Sequence, residues 1–321
     1  MPSLITHELF GREVCRDLPI QLEKIIQQNI EEFSIGTSGP DLFFYYNAWP
    51  WKNQKDAQHI AAMGGKIHSH KIHEFFKQVF EECKEHQTQE KISYISGLLC
   101  HWALDKEAHP YIFNQTESSK GGNSSLYHRR FESHLDYLML KLIKNQTPRE
   151  YPGYKLLKYD QNTVDAVLEI YKNPLHDIYQ EDVDCKIIET CLKDFYQIQK
   201  ILFDPKNTKK KLLFGFEKNI LKKPYVFTSM IVPLDDDNLD ILNSTHRTWH
   251  HPCTNKISTR SFVDIFNDSI HLGQEVCTYF FRYLKNESEL DELMSFINNQ
   301  SFETGLSIES TMRYFDCIYE K

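Results

Sequence analysis

The sequence predicts an all-α protein, a multi-helix bundle, and three observations carry that reading. Apolar residues recur at helical spacing through most of the chain, and Gly and Pro cluster between those stretches. Only VFTSMIVPL, near 226 to 234, has the composition of a short strand, and an extended buried segment would look the same. Long amphipathic helices joined by irregular connections are the mark of an α-helical architecture.

The elements follow in order. QLEKIIQQNIEEF sets Leu22, Ile25, Ile26, Ile30 and Phe33 on one stripe, ahead of Gly36 and the loop GTSGPD. Further helices fit about 66 to 86, 89 to 107, 124 to 145, 162 to 173, 180 to 202, 258 to 284 and 287 to 298. The breaks SSKGGNSS and PREYPGY separate them, and no internal repeat is visible. The stretch TPREYPGYKLLKYD divides a His-rich helical core, 1–155, from a His-poor helical region, 156–321, expected to pack on it.

At 321 residues, 40% hydrophobic and 26% charged, the chain has the composition of a globular protein with ample core. Its net charge of -8 comes from intermixed acids and bases, so duplex nucleic acid is not an expected partner. The basic run KNTKKK, 206 to 211, beside Asp204-Pro205, reads as an exposed connection. Eight scattered cysteines without a CxxC pair read as reduced thiols, mostly in the core. MPSLITHELFGREVCRDLP lacks a basic-then-apolar leader and no later stretch approaches a membrane span, so a cytoplasmic location is expected. Triplets such as Asn114-Gln115-Thr116 are then coincidental rather than glycosylated.

The chemistry concentrates in SGLLCHWALDKEAHPY, residues 96 to 111, which places His101, Asp105 and His109 four apart behind an apolar run. On a helix His101 and Asp105 share a face, whereas Pro110 is expected to fray the helix at His109 and turn it toward a neighbouring site. A buried carboxylate needs compensation, from an Arg or Lys, from a cap, or from a metal. YHRRFESHLDYLM repeats the spacing with His128 and Glu132, a pair that can chelate an ion but is also common on solvated faces. GKIHSHKIHEFF offers His68, His70 and His73, of which one or two at most are ligands. SGPDLFFYY holds Asp41 in a Gly-Pro loop, where an N-cap or turn role competes with ligation, and THELF supplies His7. Together these imidazoles and carboxylates, without thiolates, suit zinc in open sites, with manganese or iron compatible by donor type.

Taken in order, His7, the GPD loop at 39 to 41, His68, HWALDKEAHPY and HRRFE resemble the zinc-dependent phospholipase C family, all-α and related in fold to single-strand-specific zinc nucleases. The resemblance covers about the first 145 residues. It implies that Asp41, His68, His101 and Asp105 hold one zinc, that His109, His128 and Glu132 hold a second, and that Asp105 bridges to another ion. His7 matches the family's N-terminal zinc-binding histidine, and His68 is preferred over His70 by the context that follows it. Secreted members complete a third zinc site with a processed first residue, from which this chain departs, so two or three ions are implied. Zinc in such a centre acidifies a water and offsets phosphoryl charge, and the resemblance implies that Asp41 orients or deprotonates that water.

The implied activity is hydrolysis of a phosphoric ester, with a phosphoester substrate that could be a phospholipid. The alternatives are a single-strand nuclease or small phosphodiesterase, and a protein whose metal is structural. The aromatic residues Phe43, Phe44, Tyr45, Tyr46, Trp49 and Trp51 either border the substrate cleft or fill the core. His246, His250 and His251 read as part of a structural loop ahead of a helix.

Overall fold

The computed structural model describes residues 4–118 and 123–320. The helices are α1 (Leu4–Val14), α2 (Ile20–Gln28), α3 (Ile30–Gly36), α4 (Gln54–Ser69), α5 (Ile72–Glu85) and α6 (Gln89–Thr116). They continue with α7 (Ser124–Lys144), α8 (Gln161–Tyr179), α9 (Cys185–Leu202), α10 (Thr208–Phe216), α11 (Phe262–Leu284) and α12 (Leu290–Ile297). The only strands among the described residues are the two-residue β1 (Trp249–His250) and β2 (Ile257–Ser258), an antiparallel pair. The all-α expectation therefore holds.

Everything is arranged around α6, 28 residues long and buried on nearly every face. A helix that is apolar all round belongs in the centre of a bundle. Thr88 caps its start by accepting from Lys91 N–H, and α1, α3, α7, α8 and α11 pack around it. The closest approach is at two glycines: a Cβ on Gly97 would lie 2.3 Å from Phe33 O, and one on Gly36 2.2 Å from Tyr94 O. That contact fixes the end of α3, and with it the following 3-10 turn Gly39–Tyr45, against the middle of α6.

Several boundaries differ from the periodicity. The stripe from Leu22 to Phe33 bends at Asn29 into α2 and α3, and Asn29 O accepts from Ser93 Oγ on α6 at 2.7 Å. The helix expected over 66 to 86 breaks at His70-Lys71, because Phe302 N–H takes His68 O at 3.0 Å and Lys71 turns left-handed at φ 54°. VFTSMIVPL forms no strand: Thr228 N–H and Oγ bond the Glu217 carboxylate instead of a neighbouring backbone. Pro110 does not end α6, which runs six residues further to Thr116. The proline frees Lys106 O, and Gly305 (φ +64°) packs so closely there that a Cβ would lie 2.5 Å from that oxygen.

All eight cysteines are free thiols and five are buried, including Cys100 and Cys277, whose sulfurs lie 4.0 Å apart.

Candidate metal centre

Because α6 stays helical through Pro110, His101, Asp105 and His109 sit on one face in successive turns, contrary to the expected fraying. Asp105 faces imidazoles on both sides. Its Oδ1 lies 3.1 Å from His7 Nε2 of α1 and 3.5 Å from His109 Nδ1, while Oδ2 lies 3.1 Å from His101 Nε2. Lys106 is turned away to Glu107 and Gln300, so it does not compensate Asp105.

The turn Gly39–Tyr45 brings Asp41 to this face, and α4 brings His68, whose Nε2 lies 3.2 Å from Asp41 Oδ1. Gly39 is held at φ +49°, with its Cα so close to His101 that a Cβ would meet Cδ2 at 2.5 Å. His128 and Glu132 on α7 are 3.1 Å apart, and His109 Nε2 lies 3.7 Å from the same Glu132 oxygen. His70 stays on the surface with Glu309, 3.0 Å away. His246, His250 and His251 bond Thr259 O, Asp316 and Thr304 O, outside the cluster.

All eight site residues read from the sequence thus converge. Three groups have ligand atoms within 4.8 Å of one another: His7, His101 and Asp105; Asp41, His68 and His101; His109, His128 and Glu132. His101 belongs to two of them. Asp105 keeps closer company with His7 than with Asp41, a refinement of the set the resemblance implied.

Electrostatics follow from placing carboxylates among imidazoles away from water. Burial pushes Asp105 upward, but the fields of His101, His109 and His7 outweigh it and hold the carboxyl well below its usual range. Glu132 is likewise held low by His128 and His109 against burial, and Asp41 by its bond to His68 and by His101. Burial disfavours a charge on His109, yet Asp105 and Glu132 raise it to about 9.

The donor set fits a divalent ion. His68, His101 and His109 each place Nδ1 against a backbone carbonyl, of Gly64 at 2.7 Å, Thr37 at 3.0 Å and Phe302 at 2.9 Å. A carbonyl only accepts, so Nδ1 carries a proton in each ring and Nε2 is the atom left to face an ion, which would displace any proton held there. Moreover His101 Nε2, Asp105 Oδ2 and His7 Nδ1 are buried with no hydrogen-bond partner among the described residues. Orphaned polar atoms facing one another in a dry site are costly, and a shared cation satisfies the first two together.

Residues 6–198 match the description zinc dependent phospholipase C. The chain belongs to that family. No curated protein and no solved structure matches it. Among the described residues of this zinc-dependent phospholipase C family member, no helix is long and apolar enough to cross a membrane.

Two contributors to the centre had no signature in the sequence. The segment Asn299–Gly305 walls the cluster, with Phe302 supplying its carbonyl to His109 and its ring to His68, 5.0 Å away. Arg129, next to His128, has a buried Nε without a hydrogen-bond partner among the described residues. It lines a cavity of about 400 Å³ with Tyr45, Trp49, Trp51, Asp136 and Phe227. The aromatic run accordingly splits: Phe43 is core, Tyr45 is buried between core and cavity, Phe44 lies tilted to His68 at 5.7 Å, and Trp49 and Trp51 border the cavity.

Proposed function

We propose that the protein hydrolyses a phosphodiester in the manner of a phospholipase C. Asp41, His68 and His101 would hold one zinc, and His109, His128 and Glu132 a second. His7 would join Asp105 at a third position, Asp105 being the bridge. The observation that carries this reading is Asp105 itself, a buried carboxylate whose two oxygens face different imidazoles and which no lysine or arginine among the described residues neutralises. When bound, zinc supplies Lewis acidity that makes a water nucleophilic near neutral pH and offsets charge on phosphoryl oxygens.

The protein's own groups divide the remaining work. Asp41, within ion-pair distance of His68, would orient or deprotonate the attacking water. Arg129, whose buried Nε has no hydrogen-bond partner among the described residues, would present its guanidinium to the phosphoryl group. The cavity beyond it receives the organic ester group and excludes water from it.

Elemental analysis of protein purified without added metal tests the centre. At least one equivalent of zinc is expected, and less than one equivalent of any transition metal, in wild type and Asp105→Ala alike, would sink the reading. A panel of bis(p-nitrophenyl) phosphate, p-nitrophenyl phosphorylcholine and single-stranded DNA then assigns the substrate. Selective cleavage of DNA would move the assignment to a nuclease. Turnover of none, with stability lost on chelation, would make the metal structural.

A further inference from the structure

One segment lies beyond the family match and takes no part in the centre. Helix α10 and the wider turn Glu217–Leu221 that continues it carry KKKLLFGFEKNIL, yet α10 buries no side chain fully, Leu213 and Phe214 being half-buried. Leu212, Phe216 and Ile220, four residues apart, form a stripe whose members are 77%, 43% and 68% exposed. An apolar helical face normally points into a core, and one that points outward marks an interaction surface.

The segment is held firmly in this attitude. Asp204 accepts from Thr208 N–H at 3.1 Å and Lys210 N–H at 2.8 Å, which anchors the start of α10. Buried Glu217 accepts from the N–H groups of Tyr225, Phe227 and Thr228 and from Thr228 Oγ, which closes the far end into a hairpin. One carboxylate with four donors fixes the loop without drawing the stripe inward.

Charge selects the partner. Residues 206–223 contain seven lysines and one acid, Glu217, which is buried and engaged, within a chain of net charge -8. Lys206, Lys211, Lys218, Lys222 and Lys223 are exposed, and none has an ion-pair partner among the described residues. A second copy of the chain docked here would set lysines against lysines. An anionic bilayer offers apolar depth to the stripe and negative charge to its flanks.

We propose that this hairpin docks the protein on an anionic membrane surface, with Leu212, Phe216 and Ile220 inserted at the interface. Ile201 just before the hairpin and Phe227 at its foot are themselves partly exposed, and both line the cavity that Arg129 shares. Docking here brings the mouth of that cavity to the lipid. The surface stands independently of the hydrolase reading; only the delivery of a phospholipid to the cavity rests on it.

The test is flotation of the full chain with phosphatidylcholine vesicles, with and without phosphatidylserine, beside turnover of soluble bis(p-nitrophenyl) phosphate. Wild type should float with the phosphatidylserine vesicles, less with phosphatidylcholine alone, and less again at high salt. The triple variant Leu212→Ser, Phe216→Ser, Ile220→Ser should float at least about tenfold less with soluble turnover unchanged, since three exposed apolar groups are lost. Absence of wild-type flotation overturns the proposal, as does equal flotation of the variant. So does a wild-type dimer that the variant dissociates, which would assign the stripe to self-association. Flotation without turnover of any ester would leave the docking surface standing and remove the hydrolase.

Discussion

His109 donates Nδ1–H to the backbone carbonyl of Phe302, 2.9 Å away and 193 residues later in the chain. The contact ties the C-terminal segment to the central helix at the point where Pro110 leaves Lys106 O without its helical donor. Gly305 sits on that oxygen at φ +64°, where no Cβ fits. Gly305→Ala should destabilise the protein by about 1–3 kcal/mol, from left-handed strain and from the collision. The midpoint of urea denaturation reads this, and an unchanged midpoint would show that the segment is not pressed on α6.

Asp105→Asn should keep the fold while removing the charge that faces His7, His101 and His109. At least one equivalent of zinc should be lost, and phosphodiester turnover should fall by about 10²-fold or more if the ions stabilise the transition state. Elemental analysis of the folded variant, with circular dichroism as the control, checks it.

Gly39→Ala acts from the other side of the cluster. Its Cβ would lie 2.5 Å from His101 Cδ2, so the imidazole must shift from the position it shares with Asp41 and Asp105. Weaker zinc retention, by about 10–100-fold, is expected because a proposed ligand is misdirected rather than deleted. Competition with a chromogenic chelator measures this, and wild-type retention would mean that the turn yields instead.

Asp136 on α7 lies behind the centre and accepts from Ile5 N–H, Thr6 N–H and Thr6 Oγ at the start of α1. Burial outweighs those bonds and pushes its carboxyl up to about 8. A folded value above the unfolded one contributes stability that is full below the unfolded pKa and is lost as pH rises through the folded value. Asp136→Asn should therefore become more stable relative to wild type between about pH 5 and pH 8. Urea midpoints at a series of pH values give the difference, and a constant gap across that window contradicts the assignment.

Much of the candidate centre was legible along the chain because its candidate ligands come in short helical spacings. His101 and Asp105, and likewise His128 and Glu132, share faces wherever those stretches are helical, and burial of the flanking Leu98, Leu99 and Trp102 follows from composition. The local sequence misled at Pro110, since proline penalises a helix interior only until tertiary packing accommodates the freed carbonyl, here at Gly305. At VFTSMIVPL the sequence left a strand and an extended segment open, and the donors of Thr228 were claimed by Glu217 rather than by a strand.

The sequence by itself determined the helical architecture, the donor types and the pairs that share a helix face. Only the tertiary structure decided that His7, Asp41 and His68 meet α6, that His68 rather than His70 faces inward, and that Thr37 and Phe302 orient the imidazoles. The reason is physical: spacing within one helix fixes which side chains are neighbours, but the meeting of α1, α4, α6 and α7 depends on how their apolar faces pack. A backbone carbonyl that holds a histidine leaves no trace in residue identity.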